Sequence, residues 1–318
     1  MSIKFICPDD SEVLQDQGSQ NFSCAKCGKN YPIHNGVLRL LKHEDEFYEG
    51  RYDNQIKFIP KNENFWNIWP LWLINSGYLW LIRKYVPANN VILELGCAGG
   101  VRYLGQRYQM IGCDLSFSSL KKLDGIYGNL VQADACLSIP LPVNSVDAIV
   151  STFFWEHIPE ESKIKALFEC HRVLKDDGVI IFLYDVETMN PLISRYKNSN
   201  LKLYNELFID SDGHIGYQSP TENLNLFKRQ GFKIHEHHGL EKTWLQSAST
   251  FSKLAKFGGF SQRLFKLMII FDQKPWYYFY TVVMRLVDTF VCPFLPKKWA
   301  RIDLIVAKKV HFNELHNP

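Results

Sequence analysis

From residue 91 onward, short apolar runs alternate with helical stretches. VILELG, QMIGCDLS, LVQADA, VDAIVSTFF and GVIIFLYD come first, then FKIHEHHG and RIDLIVAKKV. Strands interleaved with helices require right-handed crossovers, so the strands run mostly parallel and helices cover both faces. The pattern predicts an α/β fold with a doubly wound, seven-stranded, mostly parallel sheet. Ligands of such sheets bind beyond the carboxyl ends of the strands, where the strand order reverses. The residues just after each strand are therefore the candidates for function.

After the first run comes GCAGG, where Gly96, Gly99 and Gly100 let the backbone turn sharply and approach a ligand. Asp114 ends the second run and Asp134 the third. An acid about 20 residues beyond a glycine turn suits the two hydroxyls of a ribose, because an ionised carboxylate accepts from both. That spacing alone also allows NAD.

Two further stretches decide between the cofactors: FFWEHIPEE at 153–161 and CHRVLKDDGVIIF at 170–182. With the strand-end series, over about residues 90–240, they resemble the class I S-adenosylmethionine-dependent methyltransferases, in the branch with EHIP after the fourth strand and HRVLKPGG before the fifth. The resemblance implies a Rossmann-like methyltransferase fold and S-adenosylmethionine as cofactor. It implies that Glu94, Gly96, Cys97, Ala98 and Gly100 line the methionine end, that Asp114 with Leu115 binds the ribose, and that Asp134 with Ala135 meets the adenine, with Phe153 also at the cofactor. An acid at the turn suits a ligand carrying an ammonium and a sulfonium better than a pyrophosphate. Ala98 departs from the family's central glycine and narrows the turn by one methyl.

Catalysis in this superfamily is largely alignment for in-line displacement, and a base matters only where the acceptor must lose a proton. His157, Asp185 after the fifth strand and His214 in GHIGYQSP are the catalytic candidates. The ubiquinone O-methyltransferases hold a metal near this position with two glutamates and a histidine. Phe153 stands where their first glutamate falls, so that metal is not expected here.

The first 45 residues carry a different pattern. Cys7, Cys24 and Cys27 lie in a polar stretch, and CAKCGK forms one knuckle of a zinc ribbon. CPDD supplies only Cys7 of the opposite knuckle, and Asp10 sits where the fourth cysteine belongs; His34 or His43 could substitute. The expected ligand set is Cys7, Asp10, Cys24 and Cys27 around a structural zinc; the alternative is a metal-free ribbon held by the small core of YPIHNGVLRLL. Cys97, Cys113, Cys136 and Cys170 lie singly in apolar segments and read as small buried hydrophobes. No secretory signal opens the chain, which predicts a cytoplasmic protein without a disulfide framework.

Between the two regions, residues 46–89 form an aromatic helical linker. Leu71, Ile74, Tyr78, Leu81, Ile82 and Tyr85 have helical spacing, and Pro87 ends the pattern. The domain that follows, 90–318, contains an insertion at 245–299, where a hairpin turn would suffice. The insertion holds eight Lys/Arg against Asp272 and Asp288, a local charge of +6 in a chain of net +3. It contains two amphipathic stretches, SQRLFKLMIIFD, capped by Ser261, and KPWYYFYTVVMRLVDTFVCPFLPKKW. Charges and prolines rule out a full bilayer span; a cap over the acceptor, a dimer surface or a peripheral membrane contact remain.

Of the possible functions, methyl transfer to an O or N atom of a small-molecule, glycan or lipid-linked acceptor leads. Ribosomal RNA methylation is the alternative, because some enzymes of that class join such a ribbon to this fold. Nucleic acid fits poorly, since the five Lys/Arg of residues 1–42 face Asp9, Asp10, Glu12 and Asp16. A non-catalytic cofactor-binding subunit is the third reading.

Overall fold

The computed structural model describes residues 3–18, 20–41, 46–52, 55–259 and 261–310. Its strands are, in chain order, β1 (Gln15–Asp16), β2 (Asn21–Ser23), β3 (Asn30–His34), β4 (Val37–Arg39), β5 (Val91–Leu95), β6 (Gln109–Asp114), β7 (Asn129–Gln132), β8 (Val146–Thr152), β9 (Leu174–Asp185), β10 (Phe232–Leu240) and β11 (Ile302–Lys309). Across the sheet they run β1-β2-β3-β4-β7-β6-β5-β8-β9-β11-β10. The seven strands β5 to β11 have the expected arrangement, with β5 to β9 parallel and β11 antiparallel between β9 and β10. This is the Rossmann-like methyltransferase fold. The order switches at β5, which pairs with β6 on one side and β8 on the other, opening a crevice at its carboxyl end.

Sequence pattern explains the layers. Ile92, Leu93, Ile149, Val150, Ile180 and Ile181 are sealed from water because helices cover both faces. Helix Glu160–Val173 buries Lys163, Ala166, Leu167, Cys170 and Val173, an i, i+3, i+4 stripe against one face. Helix Pro220–Arg229 starts at a capping box in which Ser219 and Glu222 satisfy each other's backbone donors. A third cluster joins Ile193, Tyr196, Tyr204 and Phe208 to Phe251, Phe265, Tyr280 and Met284, so the insertion packs on the segment after β9.

Three features differ from expectation. The N-terminal hairpins are not an appendage, because β4 pairs in parallel with β7 through Val37 to Leu130 and Leu38 to Val131. The helix foreseen over 71–85 begins only at Tyr78: Asn75, Ser76 and Gly77 have positive φ values of 44, 51 and 88°, and this left-handed break outweighs the apolar spacing. Ser261 does not cap helix Gln262–Met268, since its hydroxyl is engaged with the Tyr196 hydroxyl.

Candidate functional site

β5 runs out at Leu95, and Gly96 turns the chain at φ 60°. A side chain there would place Cβ 2.6 Å from the Phe154 ring, so only glycine fits between that ring and the crevice. Ala98 follows at φ 35°, a conformation an alanine adopts with strain of roughly 1 kcal/mol. Asp114 holds this turn in place. Its Oδ2 accepts from the Ala98 amide at 2.8 Å and its Oδ1 from the Ser116 amide at 2.8 Å. Burial raises its pKa, and these amides pull it back.

Beneath the turn, Glu94 is buried and accepts from the Tyr127 hydroxyl, which itself accepts from the Val101 amide at 2.9 Å. Burial pushes the Glu94 carboxyl up to about 8, so at neutral pH it is mostly protonated until a cation arrives. Asp134 has one oxygen on the Cys136 amide at 2.8 Å. Glu94, Gly96, Cys97, Ala98, Gly100, Asp114, Leu115, Asp134, Ala135 and Phe153 all line one cavity of about 540 Å³.

The far wall of that cavity was not legible in the sequence. Tyr48, Tyr52, Ile56, Asn75 and Ile215 form it together with His157, Ile158 and Pro159. The segment carrying Tyr48 and Tyr52 is fastened at both ends. Glu49 accepts from the Phe117 and Ser118 amides at 3.1 and 2.8 Å, capping a helix start, while Arg51 and Tyr52 donate to the carbonyls of Ser211 and Asp212 at 2.7 and 2.9 Å. The left-handed break at Asn75 to Gly77 is what turns Asn75 into the cavity. None of the lining residues comes from 245–299.

Of the three base candidates, only His157 lines the cavity. Its Nδ1 lies 2.9 Å from the Gly213 carbonyl. A carbonyl can only accept, so Nδ1 carries the proton and Nε2 of the neutral ring keeps a lone pair. Burial lowers its pKa, which favours that neutral form. His214 and Asp185 stand behind it: the rings of His157 and His214 are 5.3 Å apart, His214 Nε2 is 3.7 Å from Asp185, and Asp185 is also paired with Arg301 at 3.3 Å.

The loop that brings His214 here is threaded tightly. A side chain on Gly216 would put Cβ 1.7 Å from the Ile158 carbonyl, and buried Lys163 donates to the Gly216 carbonyl and Gln218. Ligand atoms of Glu156, His157 and His214 lie within 4.8 Å of one another, although no metal was expected at this position. Burial, then the charge of Asp185, pushes the Glu156 carboxyl well above the ordinary carboxylate range.

At the N-terminus, one ligand atom each from Cys7, Asp10, Cys24 and Cys27 also falls within 4.8 Å of the others. The Cys7 and Cys27 sulfurs are 3.7 Å apart, and Asp10 oxygens lie 3.4 and 3.5 Å from the Cys24 sulfur. Zn–S bonds of about 2.3 Å in a tetrahedron set sulfurs about 3.8 Å apart, so the donor set fits zinc. The Cys27 amide points at the Cys24 sulfur at 3.5 Å, as a knuckle turn requires. His34 is exposed on β3 outside this group, and His43 lies outside the described residues.

Residues 93–182 match the family model described as a methyltransferase domain. An uncharacterized methyltransferase of Geobacillus sp. (strain WCH70) is 26% identical over 152 residues, which are 46% of this chain and 71% of that protein. Among solved structures, the chain is similar to geranyl diphosphate C-methyltransferase from Streptomyces coelicolor A3(2), determined with Mg2+, geranyl diphosphate and S-adenosyl-L-homocysteine: 14% identity, TM-score 0.48, 74% of this chain and 78% of that one. The YcgJ protein of Bacillus subtilis gives 19% identity and a TM-score of 0.44 over 74% and 98% of the two chains. The strand order, the glycine turn at its switch point and the matched family model agree: the chain carries a class I S-adenosylmethionine-dependent methyltransferase domain.

Proposed function

We propose that the chain methylates an O or N atom of a small-molecule, glycan or lipid-linked acceptor held against Tyr48, Tyr52 and Ile215, with His157 taking the acceptor's proton. In this reading Glu94 faces the cofactor's ammonium, Asp114 with Leu115 the ribose, and Asp134 with Ala135 the adenine. The bound cofactor supplies a methyl on a sulfonium. When bound, it would offer that methyl for in-line displacement by the acceptor's lone pair, and Nε2 of His157 would take the acceptor's proton. Alignment across the cavity supplies most of the acceleration, and the base supplies about 10²–10⁴-fold. Residues 1–45 then serve as the ribbon module, 46–89 as the acceptor wall, and 90–318 as the catalytic domain with its insertion at 245–299.

The observation that carries the reading is one residue. His157 shares a cavity with the glycine turn, and its Nδ1 is already spent on a carbonyl. RNA as acceptor has weaker support, because the ribbon is built into the sheet edge through β4 and its Lys29 is paired with Asp9 at 2.5 Å.

His157→Gln is expected to lower kcat about 10²–10⁴-fold while leaving S-adenosylmethionine affinity within about twofold. The assay follows label from methyl-tritiated S-adenosylmethionine into small-molecule and lipid extracts of the source cells, beside a total RNA fraction. Label entering RNA alone would overturn the acceptor class. An unchanged kcat in His157→Gln would remove the base.

A further inference from the structure

Helix Trp276–Phe290 is apolar on both sides. Tyr280, Met284 and Asp288 face the protein at i, i+4, i+8, and Phe279, Leu286 and Phe290 form a second stripe at i, i+7, i+11 that faces out. Phe279 is 61% and Phe290 65% exposed, so this stripe has no covering partner among the described residues. Its only two charged residues turn inward. Asp288 is buried and accepts from the Glu241 amide at 2.8 Å; Arg285 lies over the Trp72 ring and donates to the Trp72 carbonyl at 2.9 Å. The neighbouring helix Gln262–Met268 likewise exposes Leu264 and Leu267 while burying Phe265.

Exposed basic residues precede and follow this apolar helix along the chain. Lys256, Arg263, Lys266, Lys274, Lys297 and Lys298 are all exposed, and none has an ion-pair partner among the described residues. Asp272 is the one exposed acid of the insertion. Fifteen residues of helix span about 22 Å at about 1.5 Å each, short of the roughly 30 Å of a hydrocarbon core. No helix of the described residues is long and apolar enough to cross a membrane.

We propose that residues 256–298 form a docking surface for an anionic lipid bilayer, with helix Trp276–Phe290 lying in the interface and the six basic residues among the headgroups. An uncharged outer stripe with exposed positive charge on the same segment matches an apolar boundary lined with phosphates. A second copy of the chain fits less well, because a symmetric contact would bring the two basic segments together with only Asp272 to offset them.

Co-sedimentation of the full chain with phosphatidylcholine vesicles, with and without phosphatidylglycerol, tests the proposal. Binding is expected to be at least about tenfold tighter on the anionic vesicles and to weaken as salt rises. Phe279→Ser with Phe290→Ser is expected to lose about tenfold or more on the same vesicles, with an unchanged melting temperature since both side chains are exposed. Lys297→Gln with Lys298→Gln is expected to shrink the preference for anionic lipid and flatten the salt dependence. Equal binding to both vesicle types, or none to either, overturns the proposal. So does a dimer in sedimentation velocity that the double phenylalanine variant abolishes, because the stripe is then a subunit contact.

Discussion

Asp114→Ala is expected to weaken S-adenosylmethionine binding about a hundredfold, the largest effect on the cofactor of any single change at this site. In the proposed arrangement the carboxylate accepts from the ribose, and a hydrogen bond to a charged group contributes about 1.5–3 kcal/mol. The same carboxylate fixes the turn, because it accepts from the amides of Ala98 and Ser116. Removing it strands two backbone donors and frees Ala98 from a positive-φ conformation it holds only under constraint. Asp114→Asn keeps one acceptor oxygen and should lose less, about tenfold. Titration calorimetry on both variants checks the order; equal affinity in wild type and Asp114→Ala would remove Asp114 from the cofactor site.

Cys24→Ser is expected to have the largest effect on stability. A structural zinc contributes folding energy directly, because its site does not exist in the unfolded chain. Here the cluster also anchors the hairpins whose last strand, β4, covers the edge of β7. Loss of about 4 kcal/mol lowers the melting temperature of a chain this size by about 6 °C, at an unfolding entropy of about 2.1 cal/mol/K per residue. Elemental analysis should find one zinc per chain in the wild type and none in Cys24→Ser, and a chelator should reproduce the drop in melting temperature. A metal-free wild type with the same melting temperature would refute the site.

The sheet and one half of the cavity were legible because their signals are local. A strand with Glu94 next to its end, a glycine turn and acids at 114 and 134 each announce themselves within a few residues, and the topology then brings them together. The acceptor wall has no such signal. Tyr48 and Tyr52 reach the cavity because Glu49 caps a helix some seventy residues away and Arg51 grips the 211–213 loop. Asn75 is there because the chain breaks left-handed where apolar spacing reads as continuous helix.

His157 and Asp185 were legible as polar groups at strand ends and His214 within GHIGYQSP, but nothing local says that two of them stand behind the third. The pairing of β4 with β7 was invisible for the opposite reason. Three residues, Val37 to Arg39, are too short a run to be read as a strand of a sheet that resumes fifty residues later.

The central claim is that the crevice at β5 binds S-adenosylmethionine, and Glu94 makes the claim testable without knowing the acceptor. Burial pushes its carboxyl up to about 8, and an adjacent ammonium or sulfonium favours the ionised form, lowering that value on binding. Binding therefore expels a proton, and affinity rises with pH from the bound-state pKa up to the free-state value, by at most about tenfold per pH unit. Calorimetric titration of the wild-type chain with S-adenosylmethionine at pH 6 and pH 7 is predicted to give one site per chain, tighter at pH 7, with the pH difference abolished in Glu94→Gln. A folded protein that gives no saturable binding at either pH would contradict the account.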